Sequence, residues 1–195
     1  MPRSSFLFLV SSFKYLVFMT RTYLFYDLET SGLNTAFDQI LTFACIRTDD
    51  TFSEIERNAV KVKLRPDVVP SPGALLVNRL PVDELAEGVC EYEAARRIHE
   101  EVNTPGTISL GYNTLGFDDE FLRFTFYRNL LDPYAHQYSQ GCGRMDIFPM
   151  TALYSIFKPE LLTWPRKEDG TFSLRLDQLS VENDLISVGG RSHEA

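Results

Sequence analysis

A hydrophobic and aromatic run near the start of the chain carries two carboxylates, Asp27 and Glu29, two residues apart. The run spans residues 22–30 and predicts a buried strand, in which side chains at positions i and i+2 project from the same face. Two anionic groups held side by side repel each other and are costly to desolvate. A bound cation removes that conflict, and carboxylate oxygens are the ligands that Mg²⁺ and Mn²⁺ prefer. A strand that simply ends at the protein surface would carry the same pair, so this pattern alone leaves both interpretations open.

Composition limits the classes of protein to consider. The length of 195 residues and the hydrophobic content of 44% are sufficient for one well-buried domain. The formal net charge of -8 argues against a protein that holds nucleic acid through its overall charge. It leaves room for a nucleic-acid enzyme in which metal ions and a few basic side chains make one groove positive. The three cysteines lie far apart without zinc-ligand spacing and indicate core thiols in a reducing cytoplasm: Cys45, Cys90 and Cys142.

The first residues differ from the rest of the chain. Residues 1–18 are apolar but are interrupted by Lys14, and no small-residue cleavage site follows. The run is also too short and too interrupted to span a bilayer. We therefore expect residues 1–20 to be an extension outside the fold, with a signal or anchor as the alternative, and one domain over residues 21–195.

The order of the predicted elements indicates an α/β fold. Strand patterns come first, joined by polar turns that favour an antiparallel arrangement, and a Pro-rich connector over 66–73 follows them. Strand and helix patterns then alternate, which predicts a mixed sheet flanked by helices. The predicted strands cover 22–28, 39–48, 58–64 and 107–112, and the predicted helices cover 82–87, 91–103, 118–131, 146–157 and 173–183.

A second acidic motif follows the fourth predicted strand. Gly111 opens a turn, and Asp118, Asp119 and Glu120 begin the next helix, which places Asp118 at a helix N-terminus beside the sheet. The helix dipole favours acidic residues there, and this alone accounts for Asp119 and Glu120. For Asp118, the preceding residues point to a more specific role, because Asn113 and Phe117 accompany it.

Three features, taken in order, resemble the DEDDh superfamily of 3′→5′ exonucleases: Asp27-x-Glu29-Thr30, then Asn113-x3-Phe117-Asp118, then His193 in a Ser-His-Glu-Ala setting. Within that superfamily the chain resembles the bacterial exonuclease I family of single-strand DNA exonucleases, from about residue 22 to residue 195. Further phrases carry this resemblance: Gly111-Tyr-Asn113, Phe126-Tyr-Arg-Asn129, Asp132-Pro-Tyr-Ala135 and Trp164-Pro165. The resemblance implies a ribonuclease H-like fold.

The resemblance also implies a two-metal site. Asp27 would bridge two Mg²⁺ ions, for which Mn²⁺ can substitute, and Glu29 and Asp118 would hold the metals and orient the scissile phosphate. His193 would be the general base, since free imidazole titrates near pH ~6.5. The resemblance places four further residues beside the substrate strand, although composition alone would leave each as an ordinary surface residue: Arg123, Tyr134, Tyr138 and Arg175.

Other aromatic and histidine residues have no such context. Phe121, Phe124 and Phe126 are expected in the core rather than in a stacking platform. His99 and His136 are expected to be structural, since neither lies in a recognisable catalytic motif.

The expected function is that of a 3′→5′ exodeoxyribonuclease domain, acting in DNA repair, that releases nucleoside 5′-monophosphates from single strands. Single-stranded DNA would be the substrate and single-strand DNA-binding protein a candidate partner, and we expect a monomer. An RNA-trimming exonuclease of the same superfamily remains an alternative, since a 2′-hydroxyl preference cannot be read from these residues. A non-catalytic single-strand-binding remnant is a second alternative, because the family's last metal-binding aspartate is missing from this sequence.

The chain departs from the family pattern at its end. The family has a further metal-binding aspartate five residues beyond the histidine, which would fall at position 198, whereas the sequence ends at Ala195. The SH3-like and helical domains of exonuclease I are also absent from this sequence. We therefore expect a C-terminally truncated exonuclease domain that is weakly active or inactive.

Overall fold

The structure, a computed structural model, describes residues 21–81 and 83–185. The extension expected over 1–20 and the predicted base His193 lie outside these residues. Within them, strands and helices follow in the order β1 (Thr22–Thr30), β2 (Ile40–Thr48), β3 (Glu54–Lys61), α1 (Pro72–Asn78), α2 (Glu91–Val102), β4 (Thr107–Gly111), α3 (Asp118–Arg128), β5 (Gly143–Asp146), α4 (Ile147–Phe157) and α5 (Leu176–Glu182).

The strands form one mixed sheet in the order β3-β2-β1-β4-β5. β1 pairs antiparallel with β2, which pairs antiparallel with β3, so the predicted meander is confirmed. β4 lies parallel to β1 on the other side, with Phe25 opposite Leu110, and β5 lies parallel to β4. Because parallel strands end at the same edge of a sheet, Glu29 and the turn after Gly111 meet at one edge, where ligands bind in open α/β sheets.

The core lies between this sheet and the helix pair α2 and α3. The predicted apolar stripe of α2 is buried as expected, from Ala94 to Val102. Phe121 and Phe126 of α3 are fully buried, which confirms the core prediction for both of them, whereas Phe124 is only half-buried. These helices pack on side chains from one face of β1 and β2: Leu24, Tyr26, Leu28, Phe43 and Cys45.

Two elements were not expected from the sequence. α1 begins inside the predicted connector, where Ser71 caps it by accepting a hydrogen bond from the Ala74 N–H. None of its residues is buried, so it carries no apolar periodicity that would reveal it. β5 is only four residues long and is defined by its pairing with β4, with Ile108 opposite Gly143, rather than by any alternation of its own.

Several predicted bounds shift. The helix predicted over 82–87 is a 3₁₀ turn at Asp83–Ala86, and the helix predicted over 173–183 is the shorter α5. β3 begins and ends earlier than the predicted 58–64. α3 ends before Leu130, which has a left-handed φ of 59° that does not continue a helix. No helix in the described ranges is long and apolar enough to cross a membrane.

Candidate active site

Asp27 and Glu29 project from one face of β1, as their spacing predicts. Their neighbours Tyr26 and Leu28 are buried in the core on the opposite face. Asp27 is exposed and Glu29 is half-buried, so both carboxylates stand at the rim of the sheet rather than inside the core. The apolar side of the strand therefore anchors the backbone, and the acidic side faces a place where a ligand can enter.

Asp118 joins this pair from the first turn of α3. It is 7% exposed, and the N–H of Leu28 donates a hydrogen bond to its carboxylate, which ties α3 to β1. Burial, and then the nearby charges of Asp27 and Glu29, raise the pKa of Asp118 from 3.8 to about 7. The structure therefore brings together the three carboxylates that the two sequence motifs supply separately.

The donor set suits a divalent cation. Three carboxylates supply hard oxygen ligands. Burial first, and then the nearby negative charges of Asp27 and Glu29, raise the pKa of Asp118. A cation between them would remove that repulsion. Across residues 21–81 and 83–185, no group of three or more His, Cys, Asp or Glu side chains is arranged so that it could hold a metal ion as it stands. The three carboxylates therefore repel one another in the absence of a cation, and their site is open to solvent.

The turn that leads to Asp118 depends on two special backbone positions. A Cβ at Gly111 would lie 2.0 Å from Cγ2 of Thr114 and 3.0 Å from the carbonyl oxygen of Tyr26, so only glycine fits there. Asn113 has a φ of 64°, a left-handed conformation that asparagine adopts more readily than most residues. The Gly-x-Asn phrase therefore lets the chain reverse sharply between β4 and α3.

Asp146, which the sequence analysis did not single out, holds this turn in place. Its Oδ1 accepts from the Asn113 N–H at 2.8 Å and its Oδ2 from the Leu115 N–H at 3.2 Å. It also caps α4 by accepting from the Phe148 N–H at 2.9 Å. An aspartate at the start of a predicted helix signals a cap, but its bonds to a turn more than 30 residues earlier are visible only in the folded chain.

We expect Asp146→Ala to lower the free energy of unfolding by about 2–4 kcal/mol, because it removes a helix cap and leaves two turn N–H groups without their acceptor. Urea denaturation measures this. Asp169→Ala is the matched control, since that exposed carboxylate bonds only within its own loop, to Thr171. Equal losses in the two variants would show that Asp146 is not the link between turn and sheet.

Asp119 differs from the solvated helix-start residue that the sequence predicts. It is only 1% exposed. Its carboxylate accepts from His136 Nε2 at 3.0 Å, from the Arg144 guanidinium on β5, and at 3.4 Å from the Gln137 amide. The prediction that Asp119 merely serves the helix dipole was therefore wrong, because a buried carboxylate needs such partners. His136 is as structural as expected, being 1% exposed.

Arg123 and Tyr134 form one surface beside α3. Arg123 donates from Nη2 to the Tyr134 hydroxyl at 2.6 Å, its guanidinium carbon lies 4.6 Å from the centre of the Tyr134 ring, and it pairs with Glu120. The two residues line a cleft of about 800 Å³ together with Phe124, Tyr127, Leu130, Leu131, Asp132 and Pro133. Tyr138 follows on the same chain segment and is 70% exposed.

Arg175 is linked to the candidate site through its neighbour. The Tyr112 hydroxyl, in the turn after β4, donates to the carbonyl oxygen of Leu174 at 2.5 Å. This bond brings the segment that precedes α5 to the turn that carries Asp118. The Arg175 side chain itself is exposed and pairs with Asp177 at 2.7 Å, so it can exchange that partner for a ligand phosphate.

The fold and the converging carboxylates define a ribonuclease H-like nuclease domain, and comparisons with known proteins agree. The exonuclease family model matches residues 24–158, and the chain belongs to this family. Exonucleases of the family generally use divalent metal ions.

Named relatives are similar over most of the chain. Exodeoxyribonuclease I of Escherichia coli is 41% identical over 167 residues, which cover 84% of this chain and 35% of that protein. The Haemophilus influenzae protein of the same name is 36% identical, with 84% and 35% covered. The chain therefore spans about a third of the length of these curated relatives.

Solved structures show the same fold. E. coli exonuclease I in complex with a dT13 oligonucleotide has a TM-score of 0.81 and 39% identity, covering 84% of this chain and 36% of that one. A complex described as ExoI/SSB-Ct has a TM-score of 0.81 and 39% identity, with 85% and 36% covered. The predicted ribonuclease H-like fold is confirmed.

Proposed function

We propose that residues 21–195 form a 3′→5′ exodeoxyribonuclease domain that removes nucleoside 5′-monophosphates from single-stranded DNA. The observation that carries this proposal is the meeting of Asp27, Glu29 and Asp118 at one sheet edge, where burial and the charges of Asp27 and Glu29 raise the pKa of Asp118. Membership of the exonuclease family supports it, as does the relative that was solved with a dT13 oligonucleotide.

The three carboxylates would hold Mg²⁺. When bound, a pair of such ions supplies charge stabilisation for both the attacking and the leaving oxygen of an in-line displacement at phosphorus. In this assignment Asp27, Glu29 and Asp118 would hold the two ions, and Glu29 and Asp118 would also orient the phosphate. His193 is assigned as the general base that takes the proton of the attacking water, by its resemblance to the family motif.

Cationic and aromatic side chains would hold the strand. Arg175 offers an exposed guanidinium for a phosphate, and Arg123 lies against the Tyr134 ring at the cleft. Tyr134 and Tyr138 are 45% and 70% exposed, so their rings are accessible to bases, and stacking on aromatic rings is tolerant of sequence. This local grip is compatible with a net charge of -8, because only one groove has to attract phosphates.

The same proposal implies a cellular compartment and a partner protein. Cys45, Cys90 and Cys142 are free thiols, which suits the reducing cytoplasm where chromosomal DNA is repaired. The core prediction holds for Cys45 and Cys142 and was wrong for Cys90, which is exposed. One structural relative was solved as an ExoI/SSB-Ct complex, which supports single-strand DNA-binding protein as a partner.

The test uses a 5′-labelled single-stranded oligonucleotide with a free 3′-hydroxyl, in Mg²⁺ or Mn²⁺. We expect slow stepwise shortening from the 3′ end, in keeping with the weak activity expected of this domain, with release of nucleoside 5′-monophosphates. The rate should fall as salt rises, because phosphate contacts release counterions. Matched arms use an RNA strand, a duplex and a circular single strand.

The results with these other substrates distinguish the proposed function from the alternatives. Faster shortening of the RNA strand would favour an RNA-trimming exonuclease. Binding of the DNA strand without hydrolysis in either metal would favour a non-catalytic binding module. Cutting of the circle, or unchanged digestion of a strand blocked by a 3′-phosphate, would contradict an exonuclease that starts at a free 3′-hydroxyl.

A further inference from the structure

Residues 132–138, here named the tyrosine segment, contain three exposed side chains, three half-buried ones and one buried histidine. Tyr134 is 45% exposed and Tyr138 is 70% exposed, whereas His136, midway between them, is 1% exposed. The segment folds locally, because the Asp132 carboxylate accepts from the N–H groups of Tyr134 and Ala135 at 2.9 and 3.1 Å. A single 3₁₀ turn, Ala135–Gln137, then directs His136 inward and leaves the two tyrosines outside.

His136 attaches this segment to the core at α3. Its Nε2 lies 3.0 Å from Oδ1 of Asp119, and since a carboxylate only accepts, Nε2 is the donor. Its ring packs edge-on against Phe126, with ring centres 5.9 Å apart. Nδ1 has no hydrogen-bond partner among the described residues. Within those residues, the His136 side chain is therefore held by its hydrogen bond to Asp119.

The anchor point lies next to the candidate metal site. Asp119 directly follows Asp118 in the first turn of α3, and its other oxygen pairs with Arg144 of β5. Asp119 is therefore held by the sheet on one side and by the tyrosine segment on the other. The side chain of His136 thus connects the two exposed tyrosines to the helix turn that presents Asp118.

We propose that His136 is a positioning residue for single-strand binding, which holds Tyr134 and Tyr138 at a set place relative to Asp118. The inference rests on the proposed function. A positioning role differs from a purely structural one, because a residue that only stabilises the fold affects all properties of the protein alike. A positioning residue affects strand binding through the tyrosines and has no further effect once they are removed.

The experiment is a double-mutant cycle on binding. The probe is a labelled oligothymidylate of about twelve nucleotides, followed by fluorescence anisotropy in EDTA so that hydrolysis cannot interfere. His136→Phe keeps a ring against Phe126 and removes the donor to Asp119, whereas His136→Gln keeps a donor. Both are made in the parent and in the Tyr134→Ala/Tyr138→Ala background.

We expect His136→Phe to weaken binding about fivefold or more in the parent, the scale of one lost base–aromatic stack, and His136→Gln to restore much of it. In the background without the tyrosines, His136→Phe should change binding less than about twofold. Trp164→Phe is the control. It removes the hydrogen bond that the buried Trp164 indole N–H donates to the Pro159 carbonyl oxygen at 2.8 Å, and this bond lies outside the tyrosine segment. It should leave binding unchanged even where it lowers the melting temperature.

Three outcomes would overturn the inference. Equal weakening by His136→Phe in both backgrounds would show a purely structural role. Unchanged binding in the folded His136→Phe parent would show that the tyrosines do not need this anchor. A parent chain that binds no single strand would overturn the proposed function itself, and this inference with it.

Discussion

Replacement of Asp27 by alanine should reduce metal-dependent hydrolysis by at least about 10²-fold and leave the fold intact, and Glu29→Ala should do the same. Each variant removes one of the carboxylates that the two metal ions require under the proposed function. Asp27 is exposed and its charge raises the pKa of Asp118, so its loss also relieves repulsion within the metal-free protein. We therefore expect an equal or slightly higher free energy of unfolding in EDTA.

Single-turnover shortening of a labelled strand measures the first effect, and urea denaturation the second. Asp50→Ala is the matched control, because that exposed aspartate lies in the turn after β2. Since Thr48 pairs with Tyr23 at the start of β1, this turn lies at the edge of the sheet opposite Glu29. Activity within tenfold of the parent in either site variant would refute the assignment of these carboxylates.

The stability of the metal-free protein should fall as the pH rises from 5 to 8. The pKa of Asp118 is about 7 in the folded chain, against an ordinary value of 3.8, so between these values the folded state binds a proton that the unfolded state has released. This contribution is fully present below pH 3.8 and is lost as the pH rises through about 7. A shift of this size corresponds to about 2–4 kcal/mol at a site this buried.

Urea denaturation in EDTA at the two pH values, for the parent and for Asp118→Asn, isolates this effect. Asparagine does not titrate, so the variant should lack this part of the pH dependence of stability. The contributions of the other titrating groups are the same in both proteins and cancel in the difference. Asp27→Ala should show an intermediate dependence, because removal of its charge lowers the pKa of Asp118. The same pH dependence in parent and Asp118→Asn would show that Asp118 ionises normally in the folded chain.

The topology explains why two distant motifs form one site. β1 and β4 are separated by four other strands and helices along the chain but are neighbours in the sheet, paired in parallel. Their ends therefore lie together, and the Leu28 N–H reaches the carboxylate of Asp118. β5 contributes from the far side, because Arg144 pairs with Asp119 and Asp146 holds the turn before α3. β5 therefore fixes the chain on both sides of Asp118, at the turn before it and at Asp119 after it.

Local patterns predict much of this protein correctly because their causes are local. The two-residue period of a strand places Asp27 and Glu29 on one face whatever the rest of the chain does. The helical period of α2 likewise predicts which of its side chains are buried, from Ala94 to Val102. The role predicted for His193 remains a prediction, since that residue lies outside the described ranges.

Where a local signal was weak or ambiguous, sequence reasoning failed. α1 has a capping serine and a proline at its start but no buried face, and β5 is too short to show alternation. Asp119 carries the composition of a solvated helix start, yet it is buried, because β5 and the tyrosine segment close over it. Nothing in the neighbouring residues distinguishes it from Glu120, which is only half-buried.

The sequence by itself determined the acidic pair on β1, the helix start at Asp118 and the resemblance that joins them. Only the tertiary structure decided that they meet, that Asp118 is buried with a pKa of about 7, that Asp146 bonds to the turn before α3, and that His136 bonds to Asp119. The physical reason is that strand order and burial are set by contacts between residues far apart in the chain. Such contacts depend on how the whole chain packs, and no short stretch of sequence encodes them.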